Sequence, residues 1–199
     1  LEYGVVITDS QGRVTQFLEK PSWGEVFSDK VNTGIYILEP QIFQYYKQQQ
    51  NFDFSKDLFP RLLKEGLPVY GYVAAGYWCD IGNIKAYQQA HVDVLSGKVR
   101  INMPYQCLGN RIWVGTDTKI HQAVHIQGPV LIGDNCFIGS DVRIEGFSVI
   151  GDNVVIEDQA SLKRSIVWNN CHIGKKSPLR GATLANRVQV RGNTGIFEP

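Results

Sequence analysis

The chain has 199 residues, enough for one large domain or two small ones, and 20 basic side chains face 19 acidic ones for a net charge of +1. That balance gives no support to a nucleic-acid or membrane-surface protein, and a hydrophobic content of 43% is ordinary for a folded chain. No apolar run reaches the length of a membrane span and no signal peptide is read at the start, so a cytoplasmic protein is expected.

Residues 4–7 and 13–18 read as two strands joined by the turn Asp9-Ser10-Gln11-Gly12, with Gly12 in the positive-φ place. Pro21 stops the second strand from pairing further. Val31 to Leu38 is a β-branched, apolar run and is expected to be a buried strand. Glu39-Pro40 opens a short helix to about Tyr46. Ser55 is read as the N-cap of a second helix with Leu58, Leu62 and Leu63 as its apolar stripe, ended by Gly66. Val69 to Ala74 is a further strand, and Tyr77 to Gly82 is a loop feeding a helix near Ile84–Leu95 that Ser96-Gly97 closes. Residues 1–100 are thus α/β material, residues 101–110 a linker, residues 111–190 a repeat domain, and residues 191–199 a tail that caps the last coil or frays. The opening Leu1-Glu2-Tyr3 already lies in a strand-like run, from which a longer chain is expected.

The repeat is the strongest signal. Every sixth residue from Val114 is large and apolar: Val114, Ile120, Ile126, Ile132, Ile138, Ile144, Ile150, Ile156, Leu162 and Trp168. Two residues before the later ones stand small or β-branched residues such as Val130, Cys136, Val142 and Ala160. A period of six fits neither a helix nor a plain strand alternation, but it fits hexapeptide coils stacked as a parallel β-helix. Three hexapeptides close a triangular coil, so Ile120, Ile138 and Ile156 are expected to stack. Gly and Asn next to the inward residues are expected to supply positive φ at the corners. After Trp168 the period loosens, with Ile173, Leu179 and Leu184 at steps of five, six and five. The hexapeptide type resembles the left-handed β-helix family, from which the handedness is taken. The four cysteines, Cys79, Cys107, Cys136 and Cys171, have no metal or redox spacing and read as free thiols, Cys136 as packing.

Three constellations in residues 1–100 could carry chemistry. In Glu19-Lys20-Pro21, the lysine could hold a phosphate and the glutamate could accept from hydroxyls, against the plain reading of two solvated charges. Asn32-Thr33-Gly34 interrupts an apolar run with polar groups, which cost about 1–3 kcal/mol each if buried without partners. A bound polyol would supply partners, and so would a local side-chain-to-backbone turn. Asp80 within Trp78-Cys79-Asp80-Ile81-Gly82 could bind a hard cation or cap the following helix.

Taken in order, YGVV (Tyr3–Val6), FLEKP (Phe17–Pro21), VNTGIY (Val31–Tyr36) and GYWCDIG (Gly76–Gly82), followed by a hexapeptide domain, resemble the sugar-1-phosphate nucleotidylyltransferases. The likeness is nearest to bacterial mannose-1-phosphate guanylyltransferase-like proteins with a C-terminal left-handed β-helix. The resemblance implies an incomplete Rossmann-like nucleotidyltransferase domain with a mixed sheet ahead of the β-helix. It implies Lys20 as the catalytic contact to the sugar phosphate, and Gly4, Glu19, Asn32 and Thr33 as lining the sugar pocket. Asp80 would be one of two aspartates holding Mg2+. The reaction it implies is attack of a sugar-1-phosphate on the α-phosphorus of a nucleoside triphosphate, with mannose-1-phosphate and GTP as first expectation. Glucose-1-phosphate with UTP, dTTP or ATP is the alternative. The family's Gly-rich nucleotide loop and the other metal aspartate have no counterpart in residues 1–100, so a chain with the sugar half of the site, inactive alone, is expected.

Two other readings remain. Hexapeptide β-helices also occur in acyltransferases with a histidine base, for which His121, His125 and His172 are candidates, with His91 outside the repeat and a solvent-facing histidine as the plainer reading. A non-catalytic role in assembly is the other, with homo-oligomerisation through flat faces and Trp113 and Trp168 contributing. Lys163, Arg164, Lys175, Lys176 and Arg180 form a basic cluster that could take an anionic effector or simply face water.

Overall fold

In this computed structural model the described residues are 4–18, 22, 28–47 and 51–198. They fall into two compact units, Leu1–Trp78 and Cys79–Pro199. The division lies ahead of the helix that sequence reading assigns to the first domain.

In the first unit, strands β1 (Val5–Thr8) and β2 (Val14–Leu18) pair antiparallel, with Val5 opposite Leu18. The turn is as expected: the Gly12 amide donates to the Asp9 carbonyl, and Gly12 has φ +80. The two further strands are not built. Val31 makes one bridge to Val5, and Tyr70 one bridge to Arg13. Among the described residues the pairing continues only to the Asn32 amide on the Gly4 carbonyl, after which the Gly34 amide donates to Asn32 Oδ1 and Gly34 turns at φ +76. Ile37 is fully exposed. Tyr72 and Val73 are exposed as well, since the ladder at Tyr70 ends with the Gly71 amide on the Gly12 carbonyl.

Pro40–Tyr45 is a 3-10 helix with Pro40 at its start. Phe54–Leu58 is a π-helical turn running into helix α1 (Phe59–Lys64). Its cap is Asp53, not Ser55: the Asp53 carboxylate accepts from the Ser55 and Lys56 amides, and Asp57 accepts from the Asp53 amide. Leu58, Phe59 and Leu62 form this unit's core, against which Phe17, Tyr36, Phe54 and Val69 pack.

In the second unit the hexad does what its period predicts. Short parallel strands stack into three faces. The first face holds Ile112–Val114, Val130–Ile132, Ser148–Ile150, Ile166–Val167 and Thr183–Leu184, with Gln106–Cys107 added antiparallel. The second holds Lys119–Ile120, Phe137–Ile138, Val155–Ile156, His172–Ile173 and Gln189–Val190. The third holds His125–Ile126, Arg143–Glu145, Ser161–Lys163, Pro178–Arg180 and Ile196–Phe197. Ile120, Ile138 and Ile156 are register partners up the second face, as the spacing of eighteen requires. Ile132, Ile138, Ile144, Ile150 and Ile156 have no solvent exposure, and each such burial is worth about 1.5–3 kcal/mol. Cys136 and Cys171 are buried in this core, whereas Cys107 is exposed.

Three details depart from expectation. Trp168 is 40% exposed, and the inward place in its coil is taken by Val167, which pairs with Ile150 and Leu184. The first short step therefore falls between Leu162 and Val167. The segment read as a linker carries the strand Gln106–Cys107, and the tail carries Ile196–Phe197, paired with Leu179–Arg180. The third departure concerns the glycines. At the corner between the first and second faces, Asn135, Asn153 and Asn170 take the positive φ, from +54 to +60. Gly133 and Gly151 serve close approach instead: a Cβ on Gly133 would strike Asp152 Oδ1, and one on Gly151 would strike Asn169 Oδ1. Those oxygens accept from the Asp134 and Asp152 amides at 2.9 Å, so the missing side chain leaves room for a bond between coils.

Helix α2 (Ile84–Leu95) has the expected bounds and a Ser96-Gly97 ending, with Gly97 at φ +80. It belongs to the β-helical unit. Gln88 Nε2 donates to the Gly181 carbonyl at 2.8 Å and to Thr183 Oγ1 at 3.1 Å. Trp168 Nε1 donates to Tyr87 Oη at 2.8 Å, the two rings meeting edge to face. Trp168, expected to serve assembly, is thus used to hold α2.

Candidate functional site

The pocket residues expected in the first unit are partly brought together. Gly4 is buried, and its carbonyl accepts from the Asn32 amide at 2.8 Å, extending the pairing of β1. Asn32 is half-buried. Its Nδ2 donates to Tyr36 Oη at 2.7 Å and to Ser55 Oγ at 3.4 Å, while its Oδ1 accepts from the Gly34 amide. The local turn foreseen as the plain reading is therefore present. Thr33 is half-buried beside it. Lys20 and Glu19 lie outside the described residues.

Two residues complete this wall that sequence reading did not select. Tyr36 stands in the same VNTGIY stretch, four residues after Asn32, and its ring packs on Phe54 and Phe59 with centroids at 5.8 and 4.9 Å. Ser55, read as a helix cap, instead offers its hydroxyl to Asn32. The position of Tyr36 inside the motif was a usable signal; the approach of Ser55 across 23 residues was not. Asn32 Oδ1 keeps a second lone pair, and both hydroxyls can donate as well as accept, so the wall presents groups matched to a polyol.

Asp80 is exposed, and its carboxylate lies over Gly82, within 3.4 Å of where a Cβ would stand. It does not cap α2; Asn83 Oδ1 does, accepting from the Ala86 amide at 2.9 Å. Among the described residues no three His, Cys, Asp or Glu side chains gather to hold a metal ion.

The residues of the rival readings are dispersed. His121 Nδ1 accepts from the Ala123 amide, His91 sits on the Tyr87 ring, and His125 is exposed. His172 Nε2 meets Glu157 Oε1 at 2.9 Å on an open face, with both side chains nearly half exposed. The hydrogen bond from His172, before all else, holds the Glu157 carboxyl below the usual range. The basic cluster divides: Lys163 and Arg180 share a rung of the third face, whereas Lys175 and Lys176 sit at the corner ahead of it. Lys163 pairs with Glu145 at 2.9 Å and Lys175 with Asp158 at 3.6 Å. No helix among the described residues is long and apolar enough to cross a membrane.

Comparison with known proteins covers both units. Residues 1–97 match the family described as nucleotidyl transferase, and residues 96–196 match the EIF2B subunit epsilon LbH domain. A UTP–glucose-1-phosphate uridylyltransferase from Synechocystis sp. is 37% identical over 156 residues, 68% of this chain and 40% of that protein. A glucose-1-phosphate adenylyltransferase from Desulfitobacterium hafniense is 30% identical over 210 residues, 98% of this chain and 49% of that protein. One from Acetivibrio thermocellus is 28% identical over 211 residues, 98% of this chain and 47% of that protein. The chain spans about half the length of the curated relatives it matches. The relatives are named for glucose-1-phosphate, not for the mannose-1-phosphate and GTP expected first.

Proposed function

The chain belongs to the LbH-domain family through residues 96–196, with nucleotidyl transferase sequence ahead of it, and from that pairing we propose that it serves nucleotidyl transfer to glucose-1-phosphate. UTP or ATP is the donor in this reading, in place of GTP with mannose-1-phosphate. The observation that supports it is the Gly4–Asn32–Tyr36–Ser55 wall, a set of hydroxyl and amide groups on the stretch that carries the family motif.

In this reading a phosphate oxygen of the sugar-1-phosphate attacks the α-phosphorus. A new P–O–P linkage forms, the bond from the α-phosphorus to the bridging oxygen breaks, and pyrophosphate leaves. The chain's task is positioning. Tyr36 Oη and Ser55 Oγ orient sugar hydroxyls, with Asn32 holding both in place. Lys20 would set its ammonium against the sugar phosphate.

Saturation-transfer NMR with glucose-1-phosphate and mannose-1-phosphate tests the sugar. Glucose-1-phosphate is expected to bind better, and Asn32→Ala to weaken it about tenfold, the loss of roughly one hydrogen-bonding side chain. Equal binding of the two sugars, or no effect of Asn32→Ala, would overturn the assignment. Pyrophosphate release with each nucleoside triphosphate reads the donor.

A further inference from the structure

Helix α2 crosses the first face of the β-helix from its last rung to its first. Gln88 reaches the strand Thr183–Leu184, which ends that face, and Tyr87 meets Trp168 just below it. At the other end Arg111, directly ahead of the strand Ile112–Val114, donates from its guanidinium to the Ser96 carbonyl at 2.8 Å. The two ends of the helix are held by different means. Near the C-terminus Leu95 is 1% exposed, and the buried Asp93 carboxylate accepts from Gln89 Nε2 at 2.9 Å and pairs with Lys98 at 3.3 Å. Near the N-terminus Ile84 is 59% exposed and Lys85 beside it is open to water. What fastens this end is polar: the Trp168 indole on Tyr87 Oη, and the side chain of Gln88.

Glu198 arrives at the same point from the other end of the sequence. Its amide donates to the Arg180 carbonyl at 3.0 Å, continuing the rung that Ile196–Phe197 forms on the third face. Its side chain then passes over Gly181. A Cβ on Gly181 would stand 3.1 Å from Glu198 Cβ, so the glycine, at φ +67, keeps that path clear. Beyond it Glu198 Oε2 accepts from Gln88 Nε2 at 2.7 Å. The Gly181 carbonyl and Thr183 Oγ1 accept from the same nitrogen at 2.8 and 3.1 Å, so three oxygens converge on an amide group that carries two protons. The carboxylate is the charged and nearest of the three and holds one proton outright, leaving the other two oxygens to contend for the second.

We propose that α2 is a hinged strap. Its C-terminal half stays anchored on the lower coils, while its N-terminal half opens and closes on the last coil with Glu198 as the clasp. Buried apolar contact resists opening at the Leu95 end, whereas a few exposed hydrogen bonds hold the Gln88 end, and such an end is the one that opens locally. The loop of residues 79–82 runs straight into Asn83, the cap of α2, so opening the clasp frees the loop that carries Asp80 from the β-helix. The last rung of the third face and the Asp80 loop are thereby coupled through one two-state element: whatever displaces residues 195–198 loosens that loop.

Amide and indole hydrogen exchange of the full chain, read by NMR, tests this. Amides of residues 88–90 are expected to exchange faster than those of residues 92–95. Glu198→Ala should speed the first group about tenfold, the loss of a hydrogen bond to a charged group, and speed the Trp168 indole N–H with it. Residues 92–95 and the strands Val130–Ile132 and Ser148–Ile150 should keep their native rates, which separates release of the strap from loss of the fold. Glu198→Gln, which keeps an oxygen to accept from Gln88, should recover most of the protection. Tyr87→Phe, which removes the acceptor of the indole, should speed the amides of residues 88–90 as Glu198→Ala does. Rates unchanged by Glu198→Ala overturn the proposal. So does an acceleration shared by the stack, or a Glu198→Gln chain no better protected than Glu198→Ala.

Discussion

Gly133 shows that a glycine in a turn-rich repeat need not be there for its backbone freedom. Asn135, two residues on, adopts the left-handed conformation, while Gly133 vacates the volume through which Asp152 reaches the Asp134 amide. Gly133→Ala forces carboxylate and methyl into one place and is expected to cost about 1–3 kcal/mol, in the range of overpacked sites. Asn153→Gly, where only the backbone angle matters, should change stability by a few tenths. Urea midpoints of the two variants check the contrast. At this scale the sequence was legible in part: Ile-Gly-Asp-Asn marked the corner, but which residue turns and which makes room depends on the coil above. Asn32 was legible too, since polar groups in an apolar run need partners. Its partner Ser55 was not, because a side chain at that distance in sequence leaves no local pattern.

Among elements, the short strands of the third face are joined across rungs by side chains as well as by backbone. Lys163 lies opposite both Glu145 and Arg180. Its hydrogen bond to Glu145, then its charge, holds that carboxyl below the ordinary glutamate value of 4.5. A carboxyl lowered by folding adds stability that is fully present above 4.5 and fades as pH falls through the lowered value. Glu145→Gln should therefore lower the melting temperature slightly at pH 7 and not at pH 3; an equal effect at both would mean the ion pair is not the cause. The expected strands Val31–Leu38 and Val69–Ala74 show why elements were harder to read than residues. Both have the right composition, yet a strand exists only where a neighbour continues the ladder, and among the described residues each makes a single bridge. The hexad suffered less, because each coil carries its neighbour with it. Only the Val167–Trp168 choice was hidden, both being apolar, and the length of the corner decided it.

On the scale of the whole molecule the two units rest on different kinds of order. The first closes around Leu58, Phe59 and Leu62. The second is a linear stack in which each coil touches only the next, so its stability is a sum over neighbours and its ends open first. The lower end is the looser one: Val114, Ile120 and Ile126 are partly exposed, against none for Ile132, Ile138 and Ile144. Amide exchange is expected to be slowest from Ile138 to Ile173 and to quicken toward Ile120. Uniform protection along the stack would show instead a single cooperative block.

The two five-residue steps, Leu162 to Val167 and Leu179 to Leu184, fall at the same corner, where earlier coils use six. The walls keep their rungs regardless, so this edge can gain or lose a residue without disturbing the stacking. A protein engineer could splice a reporter epitope between Gly146 and Phe147, on the six-residue version of that edge, and leave the triangular shaft standing.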